Sequence, residues 1–261
     1  VSFAFNIPLR GNEKLGHIIG EISRDVKLNE LLKCSNIMAV DRMGYTDHGP
    51  THVRIVANSA LKLLRMLTAE GLVPSIVSDY GMEGKDAEVV VVLGAVFHDL
   101  GMIVAREAHE RYSVQLAPEF IERYLQPIYT ERERAIILSE VLHALVMHDS
   151  LKKPLTVEAG VLQIADALDM EQGRARIPFE RGRIDIHSVS ALSIENVDIM
   201  EGEAGGKPIV IRITMSNSAG IFQIDELLRP RIENSGLRQY IKVEAEITGE
   251  SERRILGRFE I

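Results

Sequence analysis

The sequence predicts a mainly α-helical core followed by a smaller C-terminal α/β (α+β) domain. Three observations carry that prediction. Up to about Gly173 the apolar residues recur at helical spacing. Beyond it, Ile209, Ile211, Ile213 and Met215 alternate with Val210, Arg212, Thr214 and Ser216, and Ile241, Val243, Ala245 and Ile247 alternate with Lys242, Glu244, Glu246 and Thr248, which is strand periodicity. Between these two runs lies a helix-like stretch near Asp225 to Glu233, with Pro230 as a break or a start. Strand, helix, strand in that order makes a small α/β unit. The boundary is expected between 173 and 190, in a segment rich in Arg and Gly, giving a helical domain over 1–175 and a small α/β domain over 176–261.

Val53, Val56, Ala60, Leu63 and Leu67 define one amphipathic helix, with Gly49 and Pro50 at its start, where proline suits the first helical position. Asp86 to Asp99 is apolar nearly all round, which predicts a central buried helix with Gly101 as its stop. Its β-branched residues leave a buried strand as the alternative. Three more helices are expected near 107–124, 131–148 and 155–171, and in the second of these Ile137, Val141, Ala144 and His148 share one stripe.

With 261 residues, 46% of them hydrophobic, the chain can bury at least one large core. Acidic residues number 38 and basic ones 30, so the formal charge of −8 disfavours nucleic acid as a partner. The single cysteine, Cys34, excludes an internal disulfide and a cysteine-bound zinc, so any metal must sit on His and carboxylates. A reducing, cytoplasmic location is expected. The most apolar run, Val89 to Phe97, falls short of the ~18 residues of a membrane span. No signal peptide is expected, because the N-terminus has neither a basic start nor a long apolar stretch.

Six of the eight histidines fall between residues 48 and 148. The doublet His98-Asp99 ends the most apolar helix, where an ionised Asp is costly unless a cation or metal meets it. Tyr45-Thr-Asp-His-Gly-Pro-Thr-His52 sets His52 into the start of a helix and His48 just before it. In Gln163-Ile-Ala-Asp-Ala-Leu-Asp169, Asp166 and Asp169 share a helix face flanked by apolar residues, with solvent as an alternative outlook for one of them.

A His in a helix, then a buried His-Asp doublet, then Asp in an Ala-Asp-x-x-Asp context resembles, over roughly residues 45 to 172, the HD superfamily of metal-dependent phosphohydrolases. The resemblance implies an all-helical HD-domain core and one divalent metal on His52, His98, Asp99 and Asp166. It also implies a second metal on two more histidines from among His109, His143 and His148. His143 and His148 point about 140° apart on a regular helix. The apolar stripe carries His148 inward, so His109 and His148 are the expected pair. One departure stands out: many HD proteins carry Lys three residues after the doublet's Asp, and Met102 stands there in this chain. Arg106, or a distant Arg, would supply that charge. The segment from Gly173 to Arg183 adds Arg174 and Arg176 as candidates for phosphate binding. A wider likeness, through Asn217 to Gln223, is similar to uncharacterised archaeal two-domain HD proteins.

The resemblance therefore implies hydrolysis of a phosphoester, a nucleotide being the natural class. One or two divalent ions (Mn, Fe, Co, Ni, Zn or Mg) would assist. Asp99 would orient the attacking water or bridge the ions, and His48 would act as general acid. Two alternatives stay open: an oxygenase of HD type with two irons, and a non-catalytic nucleotide-binding sensor. Homodimerisation also stays open.

Overall fold

The computed structural model describes residues 5–149, 151–171, 186–203, 205–249 and 258–260. The helical part runs α1 (Glu13–Arg24), α2 (Val26–Asn36) with a π-helical extension (Ile37–Arg42), α3 (Pro50–Ala69), α4 (Ser75–Tyr80), α5 (Gly84–Phe97), a 3₁₀ turn (Leu100–Ile103), α6 (His109–Leu116), α7 (Pro118–Leu125), α8 (Glu131–Met147) and α9 (Val157–Leu168). After α10 (Ile186–Leu192) come strands β1 (Ile194–Glu201) and β2 (Ile209–Met215), a π-helical turn (Gln223–Leu228) running into α11 (Arg229–Asn234), then β3 (Ile241–Ile247) and β4 (Arg258–Glu260).

α5 is the centre of the molecule. Every residue from Val89 to Phe97 is buried, and the helix packs against α1, α3, α4, α8 and α9. Four consecutive valines have weak intrinsic helix propensity, but burial on all sides decides the conformation. The reciprocal Glu83–Asp86 capping box starts the helix. α9 is buried along its whole length from Glu158 to Leu168. It lies among α3, α5 and α8 on one side and α11 on the other. Gly160 makes that last contact: a Cβ there would stand 2.4 Å from the Ser235 carbonyl oxygen.

The four strands form one sheet in the order β1-β2-β3-β4. β1 and β2 are antiparallel, β2 and β3 parallel, β3 and β4 antiparallel. A parallel pair needs a crossover, and the π-turn with α11 supplies it. In register, Ile209, Ile211, Ile213 and Met215 stand beside Ile241, Val243, Ala245 and Ile247. All eight are buried, and they join the helical core in one continuous apolar cluster. Among the described residues no helix is long and apolar enough to cross a membrane.

Several sequence expectations change in detail. The helix expected over 107–124 is two helices, because Pro118 lacks an N–H and starts α7 instead of continuing α6. Gly101 is not the stop of α5, which ends at Phe97; it lies inside the following 3₁₀ turn. β1 and β4 were not anticipated. The expected boundary near 175 lies outside the described residues.

Candidate metal centre

α5 delivers the doublet. His98 is its C-terminal cap residue and keeps helical backbone, while Asp99 leaves the helix at φ −100° and ψ 6°. That change of direction lets adjacent side chains converge, with Asp99 Oδ2 3.2 Å from His98 Nε2. His52 comes from the first turn of α3, which Gly49 caps and Pro50 opens. Asp166 comes from the last turn of α9. His109 opens α6 after Ala108, whose φ of 57° turns the chain inward. His148 closes α8.

The four imidazoles share one arrangement. The Nδ1 atoms of His98, His109 and His148 lie 2.9, 2.9 and 2.6 Å from the carbonyl oxygens of Ala95, Arg106 and Leu145, each three residues back. His52 Nδ1 lies 2.6 Å from Asp169 Oδ2. Carbonyl and ionised carboxylate oxygens only accept, so each Nδ1 carries the donated proton and Nε2 is the nitrogen left to face the site. This is the outer support expected around metal-binding histidine.

Those Nε2 atoms converge. His52 and His98 meet at 3.1 Å, and so do His109 and His148. Asp166 Oδ1 lies 3.3 Å from His52 Nε2 and 3.6 Å from His98 Nε2. Two groups result: His52, His98 and Asp166, all buried, and Asp99, His109 and His148. Asp99 faces both, with Oδ2 3.3 Å from His52 and Oδ1 3.1 Å from His109. A divalent ion with bonds of ~2.0–2.2 Å holds its ligand atoms roughly 3.0–3.5 Å apart, so the donor set and spacing fit such ions.

The electrostatics agree. Ring nitrogens facing each other at 3.1 Å need a proton or a metal ion between them. Burial alone would lower the His98 pKa, but the charge of Asp99 and the hydrogen bond to Asp166 raise it to about 9. Burial, with His98 and His109 as positive neighbours, depresses His148 to about 4. Burial opposes ionisation of Asp99 and Asp166 too, yet the surrounding imidazoles hold both carboxyls well below the usual range.

The HD domain family matches residues 51–171, a span that contains every one of these ligand candidates. An uncharacterized protein of Methanocaldococcus jannaschii is 46% identical over 242 residues, covering 93% of this chain and 92% of that protein. The chain belongs to the HD superfamily. No solved structure matches it. The superfamily is one of metal-dependent phosphohydrolases whose HD domains bind divalent metals, and His and Asp groups are placed here to hold one.

In this HD protein the expected ligands His52, His98, Asp99, His109, His148 and Asp166 all come together. His143 lies apart from them, with Nε2 accepting from the Leu155 N–H at 3.1 Å. His48 stands at the rim, its Nδ1 2.7 Å from the Thr46 carbonyl and its ring centre 5.7 Å from that of His52. Arg106 lies over the Tyr45 ring at 4.3 Å. Met102 is fully buried. Arg174 and Arg176 lie outside the described residues. A cavity of about 640 Å³ opens above the site, lined by Tyr45, His48, Arg106, Asp149, Leu227 and Arg231 among others. A larger cleft of about 820 Å³, by Lys62, Glu70 and Asp198, holds no histidine or cysteine, and its Arg65 is already forked on Glu88.

Three supports were missed. Asp169 does not face solvent; it is buried against His52. Gln163 Nε2 reaches the carbonyls of Met147, Asp149 and Lys152 at 3.0, 2.7 and 3.0 Å, fixing the turn that follows His148. Arg231 Nη2 lies 3.3 Å from Asp166 Oδ2. Its only sequence signal is the four-residue spacing Gln223, Leu227, Arg231.

Proposed function

We propose that the protein hydrolyses a phosphoester, a nucleotide being the first class to test, at a centre of two divalent ions. His52, His98 and Asp166 would hold one ion, His109 and His148 the other, and Asp99 would bridge them. The observation that carries this reading is the pair of ligand groups meeting at the two oxygens of one carboxylate. Bound there, divalent ions supply Lewis acidity toward a phosphoryl oxygen and a water of lowered pKa.

The protein's own part is positioning and proton transfer. Asp169 and the carbonyls of Ala95, Arg106 and Leu145 keep the four rings in one tautomer, so binding needs no reorientation. His48, steadied through Nδ1 by Thr46, stands at the cavity rim to give a proton to the leaving oxygen. A cavity of about 640 Å³ suits a small molecule.

The set of four histidines and two carboxylates also supports a second reading, an oxygenase with two irons. Phosphate release from a panel of nucleotides and simple phosphoesters, with added Mn²⁺, separates them when native protein is compared with Asp99→Ala. Turnover that disappears in the variant is the expected result. A metal-filled protein inert on the whole panel would end the phosphohydrolase reading, and a visible band from bound iron would favour the other.

A further inference from the structure

The cavity over the metal centre is strongly acidic. Asp99, Glu107, Glu110, Asp149, Asp166 and Asp169 line it. A phosphoester brings further negative charge, and a cationic group in the wall would add to the positive charge that bound ions supply. Two described cations line the cavity, Arg106 and Arg231. Arg106 lies over the Tyr45 ring, 4.3 Å from its centre. Arg231 comes from the helical run between β2 and β3, where Gln223, Leu227 and Arg231 line the cavity at four-residue intervals.

We propose that Arg231 grips the phosphoryl oxygens of the substrate, so that the C-terminal segment completes the site; this rests on the phosphoester reading above. The guanidinium carries five N–H donors in a planar fork. Nη1 reaches the Leu227 carbonyl at 3.1 Å, and Nη2 reaches Asp166 Oδ2 at 3.3 Å. The buried Nε has no acceptor among the described residues. A dedicated Arg–carboxylate pair is forked and shorter, ~2.7–2.9 Å. Nη1 and Nη2 each spend one N–H on these contacts and keep a second, on a side chain that lines the cavity. The backbone beneath Arg231 is well placed for such a task. α11 lies on α9, and the crossing at Gly160 and Ser235 lets the two helices approach closely. Arg231 is thus held beside the ligand candidate Asp166 at the wall of the cavity.

The probe is inorganic phosphate, titrated calorimetrically into metal-loaded native protein, Arg231→Gln and Arg231→Lys, with metal content measured for each. The expected result is phosphate binding weakened at least ~10-fold in Arg231→Gln, partly restored in Arg231→Lys, with metal content equal in all three. Unchanged phosphate affinity in Arg231→Gln would overturn the proposal. So would loss of metal from that variant, because Arg231 would then act by supporting Asp166. A native protein that carries its metal and binds no phosphate would sink the phosphoester reading, and this inference with it.

Discussion

Asp169 Oδ2 and His52 Nδ1 lie 2.6 Å apart, both side chains buried, 117 positions apart in the chain. This contact ties the end of α9 to the start of α3 and fixes which His52 nitrogen faces the ligand group. Removing the outer partner of a metal-binding histidine typically weakens metal binding about 10- to 100-fold. Asp169→Ala is expected to show a loss of that size for the first ion in a Co²⁺ titration. Asp169→Asn, which can still accept from Nδ1–H, should lose less. Equal affinity in all three proteins would refute the role given to Asp169.

The pH dependence of the metal-free protein follows from His98. Its folded pKa of about 9 lies above the ordinary 6.5. The stabilisation it contributes is fully present below pH ~6.5 and is lost as pH rises through about 9. His148, depressed to about 4, is neutral across that window and destabilises the fold only as pH falls from 6.5 toward 4. The melting temperature in chelator should therefore decline from pH 6.5 to 9. An ion that displaces the His98 proton should bind more tightly across the same range. Calorimetry in buffers of different ionisation enthalpy would detect the released proton; no release at pH 7 would contradict the argument.

Gly101 lets α6 approach the doublet. A Cβ there would lie 2.0 Å from the His109 carbonyl oxygen and 2.7 Å from the Ser113 nitrogen. Ser113 Oγ also joins the His98 carbonyl and the Gly101 N–H at 2.7 and 2.8 Å. Gly101→Ala must push α6 outward and carry His109 with it. Elemental analysis should show the ion held by His109 and His148 lost before the other. Gly84→Ala, where an added Cβ meets nothing within 4 Å, is the control and should keep native metal content.

Gly160→Ala tests whether helices and sheet unfold together. The added Cβ would meet the Ser235 carbonyl at 2.4 Å and Leu237 Cδ1 at 3.4 Å. Overpacking of this kind costs about 1–3 kcal/mol. Because one apolar cluster runs through both parts, a single transition at lower temperature is expected in calorimetry. Two separated transitions would argue against a shared core.

The ligand set was legible because each member announces itself locally. His98-Asp99 ends an apolar run, and Asp166 stands among Ile164, Ala165, Ala167 and Leu168, where a carboxylate needs a partner. The helical nature of α3 and α8 was legible from periodicity, whereas α5, apolar nearly all round, left a buried strand open until its packing decided it. What escaped depends on contacts far apart in sequence. Asp169 looks like a residue at a helix end until α3 is laid beside it. Arg231 stands 65 positions beyond Asp166, and the four-residue spacing it shares with Gln223 and Leu227 does not by itself tell which side of the run faces the site. β1 carries a burial pattern with few buried positions, which hides the alternation that made β2 and β3 readable.

α9 is buried from Glu158 to Leu168, with Asp166 toward the metal centre and Gly160 toward Ser235. A helix confined on every side has little room to evolve. Enlarging Gly160 disturbs the crossover, and changing Asp166 disturbs the ligand group. Diversification of substrate preference within this lineage should therefore fall on the cavity rim, around Tyr45 to His48, Arg106 to Ala108, and the Gln223–Leu227–Arg231 face, while α9 is inherited nearly unchanged.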